Sequence, residues 1–141
     1  ISIVITSFNR KHIIQRAIDS AIVFCKNLNV DFELIIIDDN SSDNTEEFLF
    51  NNYLKEIESK LIKYYYLKRN LGVTGAKNHG FSKANYQWVV FLDSDDEMYV
   101  PLSQYFYQSL LNYNEYPILF LLRTSAVFSP IHNSCSEKNV P

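Results

Sequence analysis

Three carboxylates fall within four residues at Asp93-Ser94-Asp95-Asp96, directly after the apolar run Val89-Val90-Phe91-Leu92. A buried strand that ends in acids sets them at the carboxyl edge of a sheet, where open α/β folds leave a crevice for ligands. Crowded, unpaired carboxylates favour a cation. A hard divalent ion, Mn²⁺ or Mg²⁺, is held by one or two such oxygens and completed by the phosphates of a substrate. A solvated acidic turn that caps the next helix accounts for the same residues, since Asp and Ser favour turns and N-caps. On this segment alone the two readings stand level.

Two further polar stretches follow apolar runs in the same way: Thr6-Ser7-Phe8-Asn9-Arg10 after Ile1–Ile5, and Asp38-Asp39-Asn40-Ser41-Ser42-Asp43 after Phe32–Ile37. Phe8 offers a face on which a planar base stacks, and the Asp39 carboxylate can accept a hydrogen bond from a ring N–H of uracil or thymine. In Asn70-Leu71-Gly72-Val73-Thr74-Gly75 two glycines admit close backbone approach, and Lys77 supplies a positive charge for phosphate. Those glycines equally describe a turn and a helix entry. They are not a dinucleotide fingerprint, which requires Gly-x-Gly-x-x-Gly straight after the first strand. His12, His79 and His132 do not cluster, which argues against a histidine-rich zinc site, and Ser7, Ser41 and Ser94 lack a base for a nucleophile triad and read as turn and cap residues.

The elements that position these groups alternate. Strands are expected at Ile1–Ile5, Phe32–Ile37, Lys63–Leu67 and Trp88–Leu92, with Ile118–Leu122 as a last candidate. Ile14, Ala17, Ile18, Ala21, Ile22, Cys25 and Leu28 recur at the three-four spacing of a helical face. Further helices are expected over Thr45–Lys55, from the Gly72–Gly75 turn to about Ala84, and over Leu102–Tyr113 behind Pro101. This order gives βαβ units and an α/β fold, a mainly parallel sheet with helices on both faces, so the three polar stretches converge on one edge.

The 141 residues, 47% hydrophobic, suffice for one well-buried domain. A formal charge of −3 with no Lys/Arg-rich stripe argues against nucleic acid, although Arg10-Lys11 and Lys68-Arg69 could meet a single phosphorylated ligand. Cys25 and Cys135 lack metal-ligand or Cys-x-x-Cys spacing and are expected as free thiols, which favours a reducing compartment. No apolar run reaches the roughly 20 residues of a membrane span, so no span is expected in this sequence, and no basic-then-apolar leader is read before the first strand. The chain opens inside a strand without an initiator Met, so residues are expected to have been removed or to lie upstream. The aromatic load is assigned to packing except at Phe8.

Taken together, Ile3-Val4-Ile5-Thr6-Ser7-Phe8-Asn9-Arg10, Ile36-Ile37-Asp38-Asp39-Asn40-Ser41-Ser42-Asp43, Asn70-Leu71-Gly72 with Gly75-Ala76-Lys77-Asn78, and Phe91-Leu92-Asp93-Ser94-Asp95-Asp96 resemble family 2 glycosyltransferases in order and spacing. The resemblance covers roughly residues 1–123. It implies a Rossmann-like GT-A fold that binds a nucleotide-diphosphate sugar, a UDP- or dTDP-sugar on the logic of Asp39, and transfers the sugar with inversion to a saccharide or lipid-linked acceptor. Residues 124–141 are then a tail ahead of an acceptor-binding half. The resemblance places Thr6, Phe8 and Asn9 in the nucleotide loop, Asp39 against the base, and Gly72 and Ser94 in the nucleotide-sugar-binding set. Asp93 matches the position near ribose and metal, and Asp95 the metal ligand, with Asp96 beside it. Lys77 stands where the family more often has Arg, keeping the charge and losing the fork, while Thr6 replaces the usual proline and Phe8 the usual tyrosine. No residue matches the general base for the acceptor hydroxyl, and Glu137 lies in the tail. The implied location is the cytoplasm or the inner face of a membrane, with any membrane association supplied by regions outside this chain.

Three other readings are kept beside this one. An aspartyl-nucleophile phosphatase or phosphotransferase also uses an apolar strand followed by Asp-x-Asp, with Asp93 as nucleophile. It places that motif on its first strand, whereas three βα units precede Asp93. A phosphoreceiver domain has its acid pair after the first strand, not the second. A nucleotide-sugar binding module keeps the fold and lacks turnover.

Overall fold

The structure, a computed structural model, describes residues 1–112. The expected strand at Ile118–Leu122, His132, Cys135, Glu137 and the tail from 124 lie outside the described residues. Four strands, β1 (Ser2–Ser7), β2 (Glu33–Asp38), β3 (Ile62–Tyr66) and β4 (Val89–Asp93), form one parallel sheet in the order β3-β2-β1-β4. Helices α1 (Ile14–Leu28), α2 (Thr45–Glu58) and α3 (Gly72–Ser82) connect them, and a 3₁₀ turn at Val100–Leu102 leads into α4 (Ser103–Asn112). Pro101 therefore sits in that turn, one step before the helix expected to begin at Leu102; its missing N–H and fixed φ suit a tight first turn.

Alternation along the central strands sorts the core into two layers. Ile3, Ile5, Leu34 and Ile36 face α1, α2 and α4, and pack with Ile14, Ile18, Phe24, Leu49 and Phe106. Val4, Ile35 and Ile37 face the other way, against Ala76 of α3. Both sheet faces are thus covered, which is why β2 reads as an almost unbroken apolar run. Phe24, absent from the expected helical stripe, is buried edge-on to Phe106 with ring centroids 5.5 Å apart, while Ile22 is only half-buried. Cys25 is sealed in this layer, and burial pushes its thiol up to about 12. At Gly80, α3 lies flush on the sheet: a Cβ there would overlap Val4 Cγ1 and come within 3.1 Å of Ile37 Cγ1.

Strands β1, β2 and β4 each run one or two residues beyond their apolar stretches, because Ser7 pairs with Asp38 and Thr6 with Asp93 in the ladder. Polar side chains are thereby carried on the last rungs of a rigid sheet. At the opposite edge, buried Glu33 accepts hydrogen bonds from Ser2 Oγ at 2.7 Å and from the Asn85 amide N–H at 2.7 Å, and pairs with Lys63 at 2.5 Å. Desolvation pushes the Glu33 carboxyl up, but the bonds from Lys63, Ser2 and Asn85 outweigh it and hold it below its ordinary value. That cluster fixes the entry to β4 far from the carboxyl edge.

Candidate functional site

The chain lays β1, β2 and β3 outward in one direction, then crosses back through α3 to set β4 on the other flank of β1. Strand order reverses between β1 and β4, and such a switch point opens a crevice beyond the carboxyl ends of the strands. A cleft of about 320 Å³ lies there, lined by Thr6, Ser7, Phe8 and Arg10 after β1, Asp39 after β2, Val73 and Ala76 of α3, and Asp93, Ser94 and Asp95 after β4. Its size is that of a small-molecule site.

Of the residues expected at the site, Thr6, Phe8, Asp39, Asp93, Ser94 and Asp95 line this one cleft. Phe8 is 48% exposed, its ring available for stacking. Asp39 is nearly buried; its Oδ1 accepts the Leu71 N–H at 2.6 Å, and its own N–H donates to the Ser7 carbonyl at 2.8 Å. One carboxylate oxygen is thus committed to the β3–α3 loop, and the acid is pinned at the floor.

Lys77, half-buried on α3, is not among the lining residues but reaches Asp93, Nζ to Oδ1 at 2.7 Å. Gly72 stands at the exposed start of α3 with φ +70° and donates its N–H to Asn70 Oδ1 at 3.0 Å. Its use is conformational, a left-handed residue where the chain turns into the helix. Gly75 lies inside the helix, where a Cβ would crowd Leu71 at 2.5 Å, so its smallness serves the Leu71 side chain. Asn9 is exposed and turned toward the β2–α2 loop, where its Oδ1 accepts the Ser42 N–H at 2.8 Å. His79 lies half-buried against Tyr65, ring centroids 6.2 Å apart, apart from the cleft.

Sequence reasoning read Ser7 as a turn and cap residue. Its Oγ is buried, has no hydrogen-bond partner, and belongs to a residue lining the cleft. Buried hydroxyls are rarely left unpaired, so this one is suited to a bound ligand. The signal was its place on the last rung of β1 beside Asp38. Arg10, treated as surface that could meet a phosphate, also lines the cleft, as do Val73 and Ala76.

Asp38 is built in beneath the site: its Oδ1 accepts the Ser41 N–H at 2.7 Å, and its Oδ2 accepts the Tyr64 hydroxyl at 2.8 Å. Burial, then the bond to Asp38, pushes the Tyr64 hydroxyl well above the ordinary tyrosine range, so it remains a donor. Asp43 Oδ1 accepts from the Thr45 N–H at 3.2 Å, and Oδ2 from the Lys11 N–H at 2.9 Å, tying the first residue of α2 to the first loop. Desolvation raises the Asp43 carboxyl, and these bonds, with that from the Thr45 hydroxyl, lower it by more.

Among the described residues, no group of three or more His, Cys, Asp or Glu side chains gathers to hold a metal. Asp93 and Asp95 are the two acids after β4 that line the cleft, with Asp93 Oδ1 engaged by Lys77. That donor set suits a hard divalent ion which takes one or two carboxylates and completes its shell from phosphates.

A doubly covered parallel sheet with an acidic cleft at its switch point defines an α/β protein of the GT-A kind, and solved glycosyltransferases share the fold. Staphylococcus aureus TarS 1–349 aligns with a TM-score of 0.64 at 22% identity, over 79% of this chain and 32% of that one. The mannosyltransferase PcManGT from Pyrobaculum calidifontis, in complex with GDP-Man and Mn²⁺, aligns at 0.61 and 16% identity, over 77% and 30%. The chain belongs to glycosyl transferase family 2, whose model matches residues 2–119. A Campylobacter jejuni GalNAc(5)-diNAcBac-PP-undecaprenol beta-1,3-glucosyltransferase is 36% identical over 103 residues, 70% of this chain and 30% of the relative. The Escherichia coli UDP-Glc:alpha-D-GlcNAc-diphosphoundecaprenol beta-1,3-glucosyltransferase WfgD is 34% identical over 96 residues, 68% and 35%. The chain spans about a third of the length of these relatives.

Proposed function

We propose that this chain is the donor-binding portion of an inverting glycosyltransferase that moves a sugar from a nucleotide-diphosphate sugar to an acceptor hydroxyl. The observation that carries the reading is the meeting of Phe8, Asp39 and Asp95, from three separate loops, in one cleft. In this reading Phe8 stacks on the base and the free oxygen of Asp39 accepts a ring N–H, which favours UDP- or dTDP-sugars. The unpaired Ser7 hydroxyl gains its missing partner from the same nucleoside. Lys77 and Arg10 face the diphosphate, where their charge offsets the surrounding carboxylates.

Asp95, with Asp93, would hold Mn²⁺ or Mg²⁺; when bound, that ion neutralises charge on the departing nucleoside diphosphate. The protein's own contribution is to fix the donor so that the anomeric carbon is open to attack from the far side. The general base for the acceptor is unassigned among the described residues and belongs, in this reading, to the acceptor-binding half beyond the nucleotide domain, with the boundary near residue 123. The C. jejuni and E. coli relatives are named for undecaprenol-linked acceptors, which supports a lipid-linked acceptor and work at a membrane. Among the described residues no helix is long and apolar enough to cross a membrane.

The test is a thermal-shift panel of nucleotide sugars with and without Mn²⁺. A ligand that binds only the folded chain at 100 times its Kd adds about 2.7 kcal/mol of stability, which shifts the melting point measurably. A UDP- or dTDP-sugar is expected to raise the melting point, and to raise it further with Mn²⁺. No shift with any nucleotide sugar would overturn the reading.

A further inference from the structure

Asn9 lies between two cleft residues, Phe8 and Arg10, yet is not itself part of the lining. Its backbone sits in the left-handed region at φ +54°, a conformation in which Asn is several-fold enriched. From there its N–H donates to Ser41 Oγ at 2.9 Å, and its Oδ1 accepts the Ser42 N–H at 2.8 Å. Two residues on, the Lys11 N–H donates to Asp43 Oδ2 at 2.9 Å; two residues back, the Ser7 carbonyl accepts the Asp39 N–H at 2.8 Å. Phe8 is thus bracketed by residues bonded to the loop that carries Asp39.

We infer that Asn9 is a positioning residue, whose side-chain oxygen clips the β1–α1 loop to the β2–α2 loop and so sets the Phe8 ring against the Asp39 carboxylate before any ligand arrives. This rests on the nucleotide-binding reading and differs from the role the family resemblance implies, in which Asn9 touches the nucleotide. The distinction lies within one amide. A positioning role uses Oδ1 as acceptor for the Ser42 N–H, whereas direct contact with a ligand would use the free Nδ2 as donor. Ordering a loop during binding subtracts from affinity, and a loop clipped beforehand avoids that loss.

Two substitutions separate the roles. Asn9→Gly accepts the left-handed backbone but has no acceptor, and Asn9→Asp keeps an acceptor in place while removing the amide donor. UDP and the uncharged probe uridine are titrated into wild type and both variants, and hydrogen exchange of the Ser42 amide is followed by NMR. Asn9→Gly is expected to weaken both probes about tenfold and to speed Ser42 exchange. Asn9→Asp is expected to restore uridine binding and Ser42 protection. The inference is overturned if Asn9→Gly binds like wild type, or if Asn9→Asp binds uridine as poorly as Asn9→Gly, since the amide donor would then be the group that matters. A wild-type chain that binds neither probe overturns the nucleotide reading itself, and the positioning role with it.

Discussion

The rim around Asp39 is cross-linked to both neighbours, through Asn9 and Ser42, Lys11 and Asp43, and Leu71 and Asp39 itself. The rim around Asp95 is anchored by other means: the Lys77–Asp93 pair, an exposed Arg16–Glu97 bridge at 3.2 Å, and the Met98 N–H donating to Ser20 Oγ at 2.9 Å. Backbone-to-side-chain bonds between adjacent loops hold the first; the second includes side-chain ion pairs, of which Arg16–Glu97 is open to solvent and screening. A base is a flat, invariant object and is best met by a preset slot. A cation with its phosphates arrives with its own coordination demands, and adjustable carboxylates can follow it.

The largest effect expected from this division is at Asp95. Asp95→Ala should abolish the Mn²⁺-dependent gain in affinity for a UDP-sugar in calorimetry, while uridine, which uses only the clipped side, binds as in wild type. Equal metal dependence in the variant would dissolve the distinction. Next comes Asp38, whose two bonds underlie the clipped side. Asp38→Ala leaves the Ser41 N–H and the Tyr64 hydroxyl unanswered, and urea denaturation should register a loss of about 2–4 kcal/mol; Asp38→Asn, which keeps acceptor capacity, should lose less. The smallest effect is the titration of Asp43. Its carboxyl is held below its ordinary value of 3.8, so its contribution is complete above that pH and is lost as pH falls through the folded-state value. Exchange of the Lys11 amide, corrected for intrinsic rate, should therefore quicken in acid below that point, and Asp43→Asn should remove the dependence.

The division also explains what the sequence disclosed. Strand and helix order was legible because apolar runs and three-four spacing are set by burial, and the sheet edge on which Thr6, Asp39 and Asp95 meet follows from parallel topology alone. The strand ends were less legible, since Ser7, Asp38 and Asp93 are polar yet hold the last rungs of the ladder. Within the site, residue type announced Phe8 and the acids, but Ser7 reads in isolation as a turn residue and only its burial without a partner sets it apart. Asn9 is announced by its place in the motif, but that its Oδ1 accepts the Ser42 N–H is a contact between loops distant in sequence, which no local pattern carries. Gly80 carried no recognisable signal, because what makes it necessary is Val4 and Ile37, distant in sequence.

The seating of α3 at Gly80 bears on how quickly the cation side can change. A helix pressed that closely onto Val4 and Ile37 has no room to slide or rock without raising its backbone off the layer below. Lys77 therefore travels on a fixed platform, and its separation from Asp93 changes by swinging the lysine stem through its rotamers. Such swings in partly exposed side chains take picoseconds to nanoseconds, far faster than collective helix motion. On the proposed reading, a cation that took Asp93 from the ammonium would need only that swing, with the scaffold standing still.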